Sequence, residues 1–268
     1  MRSPSLSLTL IGGPTVLIQV GELRFLTDPT FDPAGSMYEM GPVTAHKLTS
    51  PALSPDAVGH VDAVLLSHDE HADNLDTLGR ALLPRAGRVL TTTSGARRLG
   101  GNAMGLDAWE SVELQSGSTR VRVTGVPARH GPEGSEVFLG QVTGFVLEWE
   151  GQQDGALYVS GDTRFFPGIE ELARRFRIGT AVLSVGDAHF DATGPMRLTL
   201  DATEALQVVR TVGAHTVVPV HLEGWAHYKE APEALRAAFR DAGMEPQLLL
   251  PVLGEPMVLG SACAAAVG

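Results

Sequence analysis

The chain has 268 residues, 43% of them apolar and 19% charged, with 20 Lys plus Arg against 31 Asp plus Glu and a formal net charge of −11. Such a composition excludes a disordered chain, and its acidity disfavours nucleic acid or an anionic membrane as partner unless a local basic patch exists; none is visible. The single cysteine, Cys263, excludes an intramolecular disulfide, zinc ribbons and CxxC redox chemistry, and leaves nine histidines as the residues to follow.

Read in chain order, positions 6–11, 15–20 and 23–27 are short apolar or alternating runs separated by turn residues, which predicts a β-meander. Pro4, Gly12, Gly13 and Pro14 interrupt the apolar start before a targeting segment develops, and nothing approaches the roughly 18–20 apolar residues of a membrane span. A cytoplasmic protein is expected. Positions 29–60 lose all periodicity under repeated Pro and Gly and read as a functional flap. A strand over 61–67, a short helix over 75–83 and strands over 88–92, 120–126, 144–150 and 156–160 follow. The later part alternates helix and strand: helices over 169–176, 201–212 and 232–242, strands over 181–185 and 216–220, with edge strands over 248–250 and 257–259. Asp201 three residues before Glu204 is a credible helix N-cap, and Pro232 suits a first turn that Gly243 would close. The pattern predicts an α+β fold with two sheets face to face and helices outside. It reads as one domain over 1–268, with a two-half division near residue 115 as the alternative.

The polar residues cluster at strand ends. The strand over 61–67 runs into His68-Asp-Glu-His71-Ala-Asp73-Asn74; the strands ending near 126, 160 and 220 deliver His130, Asp162 and His221. If these ends share one rim, the imidazoles and carboxylates meeting there would repel or desolvate one another unless a cation filled the space. Nitrogen and oxygen donors without thiolate suit zinc first, with manganese or iron as alternatives, and an open coordination position makes such a site catalytic. A bound divalent ion lowers the pKa of its water from 15.7 to roughly 7, so hydrolysis is the expected chemistry.

The motif order resembles the metallo-β-lactamase superfamily, in the branch of ascorbate-6-phosphate lactonase and the phospholipase D acting on N-acyl-phosphatidylethanolamines. Gly12-Gly13-Pro14-Thr15, Thr27-Asp28-Pro29, the stretch from Pro127 to Pro132 and the stretch from His221 to His227 add to the likeness. The resemblance implies an αββα sandwich with one or two divalent ions, for which His68, His71, Asp73, His130, Asp162 and His221 are the candidate ligands, and Asp162 the bridging one. Asp73 would also orient the attacking water and take its proton. The family's first motif is H-x-H-x-D-H; here a one-residue insertion reconciles His68, His71 and Asp73 with it, while Asn74 replaces the last histidine and leaves one ion or two open.

Blander readings stand beside each candidate. His68, His71 and Asp73 could form a solvated loop ahead of a helix; His130 could be a surface turn residue, Asp162 a turn or capping residue, and His221 a structural strand-end histidine. Glu70 divides between ligand, ligand support and solvent. His227, between Trp225 and Tyr228, either packs or contacts substrate and shuttles a proton, the latter being its catalytic assignment; His189 could reach the same rim. Asp28 is expected to orient a ligand imidazole, Trp225 to pack or wall the pocket, and Arg129 and Arg164 to meet any anionic group. His46, His60 and His215 read as ordinary. No G-x-S-x-G, P-loop or G-x-G-x-x-G motif occurs.

The leading expectation is a metal-dependent hydrolase cleaving an ester, lactone, amide or phosphodiester bond in a small molecule. The alternatives are a degenerate metal-binding module that senses or binds without hydrolysis, and an iron oxidoreductase at the same site.

Overall fold

The computed structural model describes residues 4–259; Cys263 lies outside them. Strands β1 (Leu6–Gly12), β2 (Thr15–Val20) and β3 (Leu23–Thr27) form the expected meander. A hairpin of β4 (Met37–Met40) and β5 (Val43–His46) and a short helix α1 (Pro55–Val58) follow, so the 29–60 stretch has elements of its own that a sequence without periodicity concealed. Next come β6 (Ala63–Leu65), α2 (Thr77–Leu82), β7 (Arg88–Thr91), α3 (Thr93–Leu99), β8 (Ala103–Gly105), β9 (Ser111–Ser116) and β10 (Thr119–Pro127). The last part holds α4 (Glu136–Leu139), β11 (Thr143–Trp149), β12 (Ala156–Val159), α5 (Pro167–Arg175), β13 (Ile178–Ser184), α6 (Ala202–Val212), β14 (Thr216–Val220), α7 (Pro232–Asp241) and β15 (Pro256–Leu259).

One sheet has the order β15-β1-β2-β3-β6-β7-β8 and the other β14-β13-β12-β11-β10-β9. Strands β3, β6, β7 and β8 pair in parallel in the first, as do β12, β13 and β14 in the second. Central strands are continuous apolar runs because both of their faces are covered. Successive side chains alternate between layers. Phe25, Leu65, Leu147, Leu157, Val182 and Val218 fill the space between the sheets. Their neighbours Leu26, Val64 and Leu66 pack outward with Val58, Leu75 and Leu82, on the side of α1 and α2. On the other flank Val146, Tyr158, Leu183 and Val217 meet Ile169, Leu206, Val209, Leu235 and Phe239 of α5, α6 and α7. The result is the expected four-layer αββα arrangement.

Several boundaries moved for physical reasons. The helix expected over 75–83 starts at Thr77 because the Asp76 carboxylate caps the Gly79 N–H at 2.8 Å. Asp201 caps Glu204 at 2.8 Å as expected. Helix α3 escaped notice because Gly95 lies inside it, although Thr92 caps that same Gly95. The 248–250 segment makes only an isolated bridge between Leu248 and Val217, while 257–259 falls within β15.

The 29–60 stretch is held down by buried charge. Lys47, 4% exposed, pairs at 2.9 Å with Asp76, which also accepts the Asp32 N–H at 2.6 Å; the Asp32 carboxylate in turn accepts from Leu78 N–H and the Tyr38 hydroxyl. Removing one member of a buried pair strands the other charge, so Lys47→Met should destabilise the fold by about 3 kcal/mol in urea titrations. Adding Asp76→Asn, which removes the orphaned charge, should recover part of that loss.

Glu230 gives a pH dependence of opposite sign to an ion-paired acid. Burial pushes its carboxyl up to about 7, Asp201 and Asp187 add to the rise, and the Ala202 N–H only partly offsets them. The folded state therefore holds this proton more tightly than the unfolded chain does. Stability from this group is full below its ordinary value of 4.5 and falls as pH rises to about 7. Because the side chain is partly exposed, we expect Glu230→Gln to gain only about 1 kcal/mol at pH 8. No difference from the parent is expected at pH 4, where both side chains are uncharged, and thermal unfolding at the two pH values checks this.

Candidate metal centre

The strands that carry the polar clusters end on one rim. After β6, the Ser67 N–H donates to Asp28 Oδ1 at 2.7 Å, and the chain turns tightly as the Asn74 and Leu75 N–H groups both return to the His71 carbonyl. This turn sets His68 and His71 on one side and Asp73 on the other. At the end of β12, Gly161 has φ +57, and a Cβ there would lie 2.7 Å from both Ser67 Cβ and the Thr143 carbonyl. Only glycine lets that strand end nest against β6 and deliver Asp162. His221, just past β14, is itself left-handed at φ 61, with its N–H bonded to the Gly13 carbonyl at 2.9 Å. A non-glycine residue held there is backbone strain stored at the site.

The donors gather into two groups, His68 with His71 and His130, and Asp73 with Asp162 and His221; within each group the donor atoms lie within 4.8 Å of one another. His71 Nδ1 sits 2.9 Å from His68 Nε2 and 3.1 Å from His130 Nε2. The opposite nitrogens are held in place, His68 Nδ1 by Ser67 Oγ at 2.9 Å and His130 Nδ1 by the Leu198 carbonyl at 2.9 Å. Such outer hydrogen bonds orient imidazoles toward a metal. In the second group His221 Nε2 is 3.3 Å from Asp73 Oδ2 and 3.4 Å from Asp162 Oδ2.

Burial, then the neighbouring imidazoles, keeps His68 well below its usual value and His71 at about 4, so both rings are neutral and hold free lone pairs. Burial would also depress His221, but Asp162 and Asp73 override it and push the ring up to about 10. Both carboxyls are held below the usual range against their burial, Asp73 chiefly by His227 and His221, Asp162 chiefly by His221. Asp28 is pushed up to about 8 by burial and then by Asp162. The region calls for positive charge that the side chains alone supply only through protons.

The residues fit a divalent ion in each group. Asp162 Oδ1, His221 Nδ1 and His227 Nδ1 are buried without a hydrogen-bond partner. Unpaired polar atoms at this density are costly in a protein interior. The imidazole spacings are near the roughly 3.3 Å separating nitrogens on a tetrahedral zinc ion with 2.0–2.1 Å bonds. The second group forms without an imidazole at Asn74, whose amide instead lies 3.4 Å from Ser67 Oγ.

The remaining candidates divide. His227 Nε2 lies 2.8 Å from Asp73 Oδ2, and its ring stacks on Phe190 at 4.5 Å. Trp225 is buried in a cluster with Tyr228 and Leu198, beside Lys47. Glu70 and Asp69 pair with Arg98 and stand outside both donor groups. Asp28 bonds the Ser67 backbone rather than an imidazole, so it reaches His68 only through Ser67. His189 is tied to the Asp187 carbonyl at 2.7 Å. Arg164 is spent on a two-pronged pair with Glu204 at 2.5 and 2.6 Å, and Arg129 lies over Phe166 near Glu133, so neither is free as an anion reader. His46, His60 and His215 are exposed. Tyr228 is the residue that sequence reasoning undervalued: its hydroxyl lies 3.3 Å from Asp73 Oδ2 and its ring stacks on His221 at 3.8 Å. Its position seven residues after His221 was the only signal.

A model of the family described as "Beta-lactamase superfamily domain" matches residues 23–222. The chain is 28% identical over 194 residues to a UPF0173 metal-dependent hydrolase of Methanocorpusculum labreanum, covering 70% of this chain and 80% of that protein. It is 23% identical over 259 residues to the UPF0173 protein YddR of Bacillus subtilis, covering 93% and 98%. Among solved structures, the isothiocyanate hydrolase from Delia radicum gut bacteria superposes with a TM-score of 0.80 at 21% identity, over 95% of this chain and 100% of that one. With the αββα sandwich, the order of the strand-end motifs and a family match over 23–222 in agreement, the chain belongs to the β-lactamase superfamily.

Proposed function

We propose that the chain is a metal-dependent hydrolase that cleaves an ester, lactone, amide or phosphodiester bond in a small molecule. The observation that carries this reading is the pair of donor groups, three imidazoles beside two carboxylates and an imidazole, converging from β6, β10, β12 and β14. His68, His71 and His130 would hold one divalent ion and Asp73, Asp162 and His221 a second, with zinc the best match to the all-nitrogen group and manganese or iron admissible where oxygen dominates. Metal bound there supplies an acidified water and a sink for charge developing on the substrate oxygen.

The chain's own residues do the rest. Asp73 Oδ2 orients the attacking water and accepts its proton, while the His227 and Tyr228 contacts to that same oxygen fix the carboxylate's direction. The buried setting strengthens these contacts because no bulk water competes for them. Six converging donors support bound metal, which a non-hydrolytic binding module would share, so turnover is what separates the two readings. A cytoplasmic location is the reading that a single cysteine and the absence, among the described residues, of a helix long and apolar enough to cross a membrane support.

Elemental analysis of protein purified without added metal should find about two equivalents of transition metal per chain. His130→Ala should retain about one and Asp162→Asn should lose at least one; an empty parent protein, or variants with unchanged content, would overturn the assignment. On whichever generic ester or lactone the parent turns over, Asp73→Asn should lower kcat by roughly 10²–10⁴-fold. Silence of the metal-loaded parent on ester, lactone, amide and phosphodiester substrates would favour the binding-module alternative.

A further inference from the structure

The segment that carries the first two candidate ligands has one residue too many. Asp69 and Glu70 separate His68 from His71 where the superfamily motif has a single residue, and both are acidic. Even so, His68 Nε2 and His71 Nδ1 lie 2.9 Å apart and converge with His130. An inserted residue and two consecutive carboxylates beside the ligands call for a brace that the two donor groups do not contain.

Helix α3 supplies one. The Arg98 guanidinium forks onto the Asp69 carboxylate, with Nε 3.2 and 3.1 Å from Oδ1 and Oδ2 and Nη2 2.5 Å from Oδ1, and the same Nη2 donates to Glu70 Oε1. The Asp69 side chain is only 4% exposed, so its charge has little water to fall back on. Glu70 turns back on the chain, its Oε2 accepting the Asp69 N–H at 3.1 Å, and Arg80 of α2 donates to the Asp69 carbonyl at 3.0 Å. Room for each carboxylate is left by a glycine. A Cβ on Gly95, inside α3, would lie 2.9 Å from Asp69 Oδ1, and one on Gly140, just past α4 at φ +83, would collide with the Glu70 carboxyl. The internal glycine that hid α3 in the sequence is therefore a seat for the inserted acidic pair.

We propose that Arg98 is a positioning residue of the metal centre: its guanidinium neutralises Asp69 and Glu70 together and pins the inserted residue, so that His68 and His71 keep the spacing needed to share one ion. This role rests on the metal-binding half of the hydrolase reading. Consecutive carboxylates repel, and a buried Asp69 stripped of its partner is driven toward water, turning the backbone between the two imidazoles with it. A planar guanidinium can meet both carboxylates because its donors diverge, whereas a lysine ammonium is a single point of charge. Asp73 lies beyond the turn in which the Asn74 and Leu75 N–H groups return to the His71 carbonyl, so the disturbance falls on the three-imidazole group rather than on the carboxylate group.

Cobalt(II) titration of the full chain, stripped of metal by dialysis against a chelator, tests this: visible absorption reports ligand geometry and chelator competition reports affinity. Arg98→Ala should weaken one site by about tenfold or more and alter its absorption. Arg98→Lys, which keeps the charge but not the fork, should show a smaller loss of the same kind and serves if Arg98→Ala does not fold. Adding Asp69→Asn and Glu70→Gln to Arg98→Ala removes the stranded charges and should return the affinity to within about threefold of the parent. In a His130→Ala background, where only the carboxylate group remains complete, Arg98→Ala should leave cobalt binding unchanged. Parent-like affinity and absorption in both Arg98 variants, even with lowered thermal stability, would overturn the inference and leave the hydrolase reading intact. Failure of the charge-free triple variant to recover, or an equal loss in the His130→Ala background, would do the same. A parent that binds no cobalt would overturn both.

Discussion

Everything about this molecule turns on charge buried at the ends of strands. Asp73 and Asp162 are almost wholly withdrawn from water and share the imidazole of His221, with His227 also on Asp73, while three further imidazoles crowd one another a few ångströms away. Neither arrangement is at ease by itself: carboxylates so placed demand a cation, and three rings whose nitrogens converge on one point cannot all satisfy each other. Bound metal would meet both demands, which is why the donor geometry is more informative than any single residue in it.

The fold exists to hold that arrangement rigid. Parallel strands release their C-terminal ends on the same rim, and both sheets are anchored by a shared apolar layer beneath it. Rigidity at the rim comes from close approach: Gly161 lets β12 nest against β6, and at Gly186, φ +119, a Cβ would meet the His221 carbonyl at 2.3 Å. The left-handed backbones of Asp28, Asp187 and His221 are tolerated because each N–H is held by a neighbouring segment, at Leu65, Leu200 and Gly13 respectively. Above the rim, the 29–60 stretch closes one wall, tied to the metal-motif segment through Lys47, Asp76 and Asp32.

Much of this was readable beforehand. Apolar runs bounded by Gly and Pro located nearly every core strand, because a strand covered on both faces must be apolar throughout. His68, His71, Asp73, His130, Asp162 and His221 stood out because polar residues released directly by such runs have no packing role. What escaped was structure without an apolar signature: the β4–β5 hairpin with its short, half-exposed strands, α3 with its internal glycine, and the exposed edge strand β9. Arg164 shows the converse error, a charge placed well in sequence that the fold commits to Glu204.

The sequence by itself determined the layered α+β architecture, the family and the set of side chains able to hold metal, since those depend on local periodicity and on which residue types follow which strands. Only the tertiary structure decided how the candidate ligands divide into two groups, that Tyr228 and His227 share Asp73, and that Arg164 is committed to Glu204. These are relations between segments up to 155 residues apart. No local pattern encodes such a relation, because it arises only when strand ends are brought to a common edge and the charges there must be neutralised together.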